Sequence, residues 1–253
     1  MDLKDHFIKV PVHFAEWCLV NKKTIELSLY IALKTRCDGQ IRLNPDLKRE
    51  LAEQLGYKSS RSVENGLRKL LELNWIGYNE RSGIYFIRGW KFVLSVNHIE
   101  GTTTAELDLR KDLANMKQWI FANAVGHYIA RRKKSEFKKS NSKQKDNLHD
   151  DDTPAPLDSE ENAPNKLGVR VLCKRYNVSQ GTISNWKRQA KDHGYLNYTH
   201  NYHILNIPAM LIHEVRELFS DIAHKIVILG EWVAVQLTDT FFVDAKFSTS
   251  RHW

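Results

Sequence analysis

Apolar residues recur at intervals of three and four in two separate parts of the chain, and each part predicts a pair of helices. In the first part, Asn44 and Pro45 are typical of a helix start and Gly56 of its end. The next helix is predicted to start at Ser59 or Ser60. Its inward-facing residues are Val63, Leu67, Leu70 and Leu71.

The second pair of helices is predicted within Val169–Leu196. Asn177 lies between the two helices, and after glycine Asn is the residue that best tolerates a left-handed backbone. Ser179 is expected to cap the second helix through its hydroxyl. The predicted inward-facing residues of the pair are Leu172, Cys173, Tyr176, Ile183, Trp186 and Ala190.

Strands and further helices are predicted around each pair. A helix at Thr24–Arg36 and a short strand at Gln40–Leu43 precede the first pair, and a hairpin turning about Asn79–Gly83 follows it. A long helix, Ala105–Ser135, is expected before the second pair. A short hairpin with its tip at Thr199–Asn201 is expected after that pair, and a helix from Ala209 follows.

Alternation in the first residues indicates a strand or extended arm, and Pro11 restricts it to a sheet edge. Lysines and then acidic residues, with three prolines and few large apolar residues, predict that 136–166 is disordered. The expected organisation is a first unit at 1–100, a connecting helix at 105–135, the disordered linker, a second helix pair with its hairpin at 167–207, and a C-terminal helix with an apolar tail at 208–253. That tail either completes the fold or contacts a second copy of the chain.

The order helix, strand, helix, helix, hairpin resembles the winged helix-turn-helix fold. The segment L-A-E-Q-L-G-Y…S-V-E-N-G-L-R-K-L-L-E-L-N-W-I is similar to that family's sequence pattern, and Val169–Leu196 resembles the helix-turn-helix of DNA-binding regulators. The resemblance implies a mainly α (α+β) protein with two winged helix-turn-helix units that bind double-stranded DNA. Transcription regulators of mobile elements and replication initiators of plasmids and phages both fit. A protein-interaction scaffold is a third alternative.

The resemblance implies a set of DNA-contacting residues on the second helix pair. Bases are expected to be read by Gln180, Thr182, Ser184 and Asn185. Phosphates are expected to be held by Arg175, Ser179, Lys187, Arg188 and Lys191. The wing is expected to contribute His200, Asn201 and His203. A further DNA-binding site in the first unit would use Ser60, Arg61, Ser62, Asn65, Arg68, Lys69 and Arg81. The second unit is expected to dominate base readout, because Glu64 lies on the reading face of the first and would repel phosphate.

Charge agrees with an anionic partner, since the formal net charge is +8 and the isoelectric point about 9.3. No phosphate-binding loop or dinucleotide fingerprint occurs, and no His-x-His pair of a rolling-circle nuclease is present. Three cysteines without metal or disulfide spacing suit a reducing cytosol. We therefore expect a cytoplasmic, nucleoid-associated protein that is not an enzyme and has no cofactor. His193, His200 and His203 lack nearby carboxylate or thiol ligands, so no metal site is predicted.

Overall fold

Helices and strands alternate along the chain, which is an α+β protein with two units. A computed structural model describes residues 7–146, 166–243 and 245–249. Of these, 7–127 and 245–249 form the first unit, and 128–146 and 166–243 form the second. Within the described residues, no helix combines the length and the apolar character that crossing a membrane requires.

The first unit begins with a strand, a buried helix and a second helix. Its elements are β1 (Phe7–Pro11), α1 (Val12–Val20), α2 (Thr24–Lys34), β2 (Gln40–Ile41), α3 (Pro45–Gln54), α4 (Ser60–Glu72), β3 (Ile76–Asn79), β4 (Ile84–Ile87), α5 (Trp90–Val96), β5 (Thr103–Asp108) and the start of α6 (Met116–Asp146). The second unit contains the rest of α6, β6 (Lys166–Leu167), α7 (Val169–Tyr176), α8 (Gln180–Asp192), β7 (Asn197–Pro208), α9 (Ile212–Leu218), β8 (Ile226–Leu229) and β9 (Trp232–Phe242). The last strand, β10 (Phe247–Thr249), returns to the first unit.

Each unit has an antiparallel sheet around its helix pair, with β4 as the central strand in the first unit and β9 in the second. The strand before the helix pair and the strand after it flank this central strand, giving the order β2-β4-β3 in the first unit and β6-β9-β7 in the second. In the second unit β8 adds to the free part of β9. The first unit has another sheet, β1-β5-β10, in which β1 is an edge strand as Pro11 predicts.

Aromatic residues fill the core of the first unit. Trp75, Tyr30 and Phe14 are each fully buried, and Trp90 completes the cluster with its ring centroid 5.1 Å from that of Tyr30. Every residue of α2 from Glu26 to Leu33 is buried, so this helix runs through the core.

The local signals at the helix pairs are confirmed. Asn44 Oδ1 accepts a hydrogen bond from the backbone amide of Leu47 at 2.8 Å. Asn177 adopts the left-handed conformation, with φ 51° and ψ 51°. The Ser179 hydroxyl accepts from the Thr182 amide at 3.2 Å, which satisfies an amide left free by the helix geometry.

Two predicted boundaries around α6 are wrong. Residues 103–108 form β5 and not the start of a helix, because Ala105 and Leu107 alternate with exposed Glu106 and match a strand pattern. The helix continues to Asp146, so the backbone of 136–146 is helical where a disordered linker was predicted. Residues 147–165 of that linker lie outside the described residues. The helices α1 and α5 were not predicted.

The predicted second hairpin is also wrong. Thr199–Asn201 do not form a turn but lie within β7, where they pair with Asp239, Thr238 and Thr240 of β9. Residues 209–231 separate the two strands and contain α9, β8 and two 3-10 segments, Ala209–Leu211 and Ser220–Lys225. Most of the apolar tail thus completes the second sheet, because β9 is its central strand.

Candidate nucleic-acid interface

The two second helices of the pairs, α4 and α8, are built alike. Each bound of α8 lies 120 positions after the matching bound of α4 (60 to 180 and 72 to 192), and a serine precedes both helices. From position 61 to 68 and from 181 to 188, the buried, half-buried and exposed residues follow the same order. The same face of each helix is therefore left outside the core.

An asparagine and an arginine occupy matching positions on this exposed face. In α4, Arg68 Nη2 donates to Asn65 Oδ1 at 2.8 Å, and in α8, Arg188 Nη2 donates to Asn185 Oδ1 at 3.1 Å. All four side chains belong to exposed residues. The hydrogen bond uses one guanidinium donor and the amide oxygen of each pair, and it leaves the remaining donors of both exposed side chains for a ligand.

Most of the predicted base-reading residues are accessible. Gln180, Ser184 and Asn185 are exposed on α8. Thr182 is half-buried, and its hydroxyl lies 2.9 Å from that of Ser179 within the helix cap. Thr182 and Ser179 therefore have a local structural role at the start of the helix.

Lys187 is not on the exposed face, and its predicted phosphate contact is wrong. It is 5% exposed and its ammonium donates to Asp239 of β9, which is 0% exposed. Lys187 occupies the position on α8 that Leu67 occupies on α4, where the side chain faces the core. A buried cation requires a partner of opposite charge, and Asp239 supplies it.

Asp239 is the centre of a polar cluster on the sheet of the second unit. His200 Nδ1 and Gln236 Nε2 lie 2.5 and 2.8 Å from Asp239 Oδ1. The ring of Tyr198 lies beneath Lys187, with the ammonium 4.3 Å from its centroid. Burial, and secondly the Asp239 charge, raise the pKa of Tyr198, so this phenol stays neutral at physiological pH.

The cluster lies against a cleft of about 460 Å³ beside the exposed face of α8. The wall formed by α8 carries Gln180, Ser184, Asn185 and Arg188. The opposite side is formed by β7, β9 and the 3-10 segment before β8, and contributes His200, His224, Lys225, Gln236 and Thr238. The cleft therefore combines amide, hydroxyl and cationic groups with one carboxylate, that of Asp239, which is paired with Lys187. The remaining cations make the lining suited to an anionic polar ligand.

The remaining predicted residues of the second unit are dispersed. Lys191 is exposed, with its ammonium 5.0 Å from the Tyr198 ring centroid. Arg175 is half-buried and stacks 4.6 Å from the Tyr128 ring centroid. Asn201 Nδ2 donates to Thr238 Oγ1 at 3.1 Å and to Thr240 Oγ1 at 2.9 Å across the sheet. His203 is exposed on β7. Asn201 and His203 therefore belong to the long ribbon of β7 and β9 and not to the tip of a short wing.

In the first unit, the acid expected to repel phosphate has a cationic partner. Lys48 Nζ lies 2.8 Å from Glu64 Oε1, and the hydrogen bond from this lysine lowers the pKa of the Glu64 carboxyl. Lys69, in contrast, is directed to buried Glu26 at 3.2 Å, which reduces its availability for phosphate. The predicted residues Ser60, Arg61 and Arg81 are exposed, and Ser62 is half-buried.

Sequence reasoning missed His224, Lys225 and Gln236 on the far wall of the cleft, and Lys48 beside Glu64. No local sequence pattern predicts that these cleft residues lie near α8, because their position depends on the pairing of β7 with β9. The buried position of Lys187 had a usable signal: alignment of the two helices at a spacing of 120 positions places it on Leu67.

Comparisons with protein-family models, with curated proteins and with solved structures found no match to this chain.

Proposed function

We propose that the chain is a sequence-specific double-stranded DNA-binding protein, acting as a transcription regulator, in which both units are winged helix-turn-helix folds. The order of elements supports this fold assignment. In each unit a helix and a short strand precede the helix pair. Of the strands that follow the pair, the later one lies in the sheet between the short strand and the earlier one, which gives the orders β2-β4-β3 and β6-β9-β7. The second unit differs from the simple fold because residues 209–231 stand where the first has a short turn.

The observation that carries the proposal is the matched Asn–Arg pair on the exposed faces of α4 and α8. An α-helix fits the major groove of B-DNA, where Asn can form two hydrogen bonds to adenine and Arg two to guanine. Each such pair discriminates against a wrong base by about 1–3 kcal/mol. A buried or purely structural helix has no need to repeat this pair on a solvent-facing surface.

Each unit adds cations around its reading helix. In the second unit these are Arg188, Lys191 and Lys225, and in the first they are Arg61, Arg68 and Arg81. Contacts to phosphate release counterions, so the logarithm of the affinity should fall with the logarithm of salt concentration by about 0.9 per phosphate contact on B-DNA. A binding constant that is flat with salt contradicts this electrostatic contribution.

The test is selection of bound sequences from random double-stranded DNA, with the full chain and with single variants. Asn185→Ala and Asn65→Ala are expected to relax base preference at different positions of the selected site. Arg188→Ala is expected to weaken binding more than Lys91→Ala, which removes the same charge from an exposed position on α5. Because Lys48 neutralises Glu64, both helices are expected to contribute to readout. Loss of all site choice in Asn65→Ala with a silent Asn185→Ala would contradict the sequence-based prediction that α8 dominates.

A replication initiator is the second candidate, favoured by the presence of two similar reading helices in one chain. One molecule with two reading helices can engage two successive sites without a second copy. Footprints over directly repeated sites would favour the initiator, and footprints over a palindrome bound by two chains would favour the regulator. A chain that enriches no sequence and binds DNA only weakly would instead act through protein contacts.

A further inference from the structure

We propose that His13, Glu16 and His127 of the first unit form a binding site for a divalent transition metal, with Zn²⁺ as the favoured ion. One donor atom from each residue lies within 4.8 Å of the donor atoms of the other two. His13 and Glu16 are three positions apart on α1, so they lie on the same side of that helix. His127 comes from α6, which brings the third donor to them.

The donor set suits zinc better than the other common divalent ions. Two imidazoles and one carboxylate are the three protein ligands of many zinc sites that keep a fourth position open. Calcium and magnesium prefer sites made of oxygen ligands alone. Zinc bonds of about 2.0–2.2 Å at tetrahedral angles place neighbouring donors about 3.4 Å apart. The present separations are at most 4.8 Å, so an ion would have to draw the donors together by no more than about 1.4 Å.

The surroundings hold the imidazoles in place. Gly101, at φ 138°, passes so close to His13 that a Cβ on it would lie 2.0 Å from His13 Cδ2. The His127 residue is 5% exposed, and its ring centroid lies 4.7 Å from that of His13 and 5.8 Å from that of Phe247. Rings fixed by packing lose less rotamer entropy on binding an ion than solvated rings do. The close approach of Gly101 explains why a glycine stands there.

The sequence predicts no metal site, because histidine spacing along the chain points only to His193, His200 and His203. The three proposed ligands are divided between α1 and α6, so no local spacing motif indicates them. The role inferred for the ion is to join α1 to α6 within the first unit. This site is separate from the helix faces proposed to contact DNA, so either proposal can fail without the other.

The test is calorimetric titration of the chelator-treated full chain with ZnCl₂. We expect a saturable site of one ion per chain whose affinity falls at least about 100-fold in Glu16→Gln, since even residues that only support ligands cost 10–100-fold. Glu16→Gln keeps the side-chain shape of a half-buried residue, and His13→Gln provides an independent variant if one of them misfolds. His203→Ala removes an exposed imidazole from the other unit and should leave the affinity unchanged.

Cobalt provides a readout that depends on the ligands themselves. Co²⁺ added to the chelator-treated chain should give visible absorption bands of four- or five-coordination, and both ligand variants should lose them. Zn²⁺ should also raise the melting temperature of the unmodified chain and not that of Glu16→Gln. Absence of a saturable site, or an affinity and spectrum that persist in Glu16→Gln and His13→Gln, would show that the three residues form only a hydrogen-bonded cluster.

Discussion

Replacement of Lys187 with leucine is expected to destabilise the second unit, although Leu67 is the residue at the matching position of the first. The ammonium of Lys187 is buried against Asp239, and this carboxylate is itself 0% exposed. Leucine fills the space but leaves the carboxylate without its cation in a site shielded from water. Leucine suits this position in the first unit and is expected to fail in the second, because Asp239 of β9 faces the position there.

The magnitude follows from the groups that remain. Breaking a buried ion pair by removing one partner costs about 3–5 kcal/mol. His200 and Gln236 still contact Asp239 Oδ1 at 2.5 and 2.8 Å, so we expect the lower end of this range, about 3 kcal/mol. Since whole domains are stable by only about 5–15 kcal/mol, this loss is a large share. Replacement of both residues of a buried pair with apolar ones is often neutral. The double variant with Asp239→Leu should therefore recover part of the loss, less what His200 and Gln236 lose with their shared partner.

Urea unfolding gives the total change, and hydrogen exchange followed by mass spectrometry assigns it to a unit. In Lys187→Leu, peptides of α8 and β9 should exchange faster, and peptides of α4 should keep their rates. Lys191→Leu is the matched control, because this lysine is exposed on the same helix and lies over the same Tyr198 ring. If Lys187→Leu is no more destabilising than the control, or if the double variant is as unstable as the single one, the pair does not have the proposed role.

Three smaller predictions concern local structure and pH. Asn44→Ala removes the cap of α3 and should lower the free energy of unfolding by about 1 kcal/mol in urea titrations, whereas Asn44→Asp should retain it. Asn177→Gly should be neutral or stabilising in thermal unfolding, whereas Asn177→Val should cost at least about 1–2 kcal/mol at this left-handed position. Burial raises the pKa of Tyr30, whose hydroxyl donates to the Arg88 carbonyl at 2.5 Å. The neutral phenol therefore contributes fully to the free energy of unfolding below about pH 10, the pKa of the unfolded state, and this contribution is lost as pH rises towards the pKa of the folded state. Tyr30→Phe should be less stable at neutral pH and lose less stability on alkaline titration; equal alkaline losses would contradict this assignment.

Features that depend on a few neighbouring residues could be predicted from the sequence. The caps at Asn44 and Ser179 and the left-handed turn at Asn177 each use hydrogen bonds or dihedral preferences within one turn of chain. The inward positions of α4 and α8 followed from helical periodicity for the same reason. The same periodicity places Asn185 and Arg188 on the outer face of α8, where both are exposed.

Features that depend on distant pairing could not be predicted. The alternation in β7 led to the prediction of a short hairpin. Nothing local indicates that the partner of this strand begins at Trp232, beyond residues 209–231. The cleft depends on that pairing, and so does the partner of Lys187. The match with Leu67 indicates that position 187 faces the core, but it does not indicate which acid the lysine meets there. A lysine on an amphipathic helix is usually solvated, and only the acid at position 239 makes its burial tolerable.

The two units therefore share a helix surface but differ in what lies opposite it. In the first, a tight turn joins β3 to β4, and Arg81 is exposed in that turn. In the second, residues 209–231 place His224 and Lys225 across a cleft from Arg188. Electrostatic attraction to phosphate depends on how many cations reach the backbone, and base preference depends on the side chains in the groove. Since the Asn–Arg pair is common to both units and the opposite wall is not, we expect the two units to have related base preferences but different affinities and salt dependences.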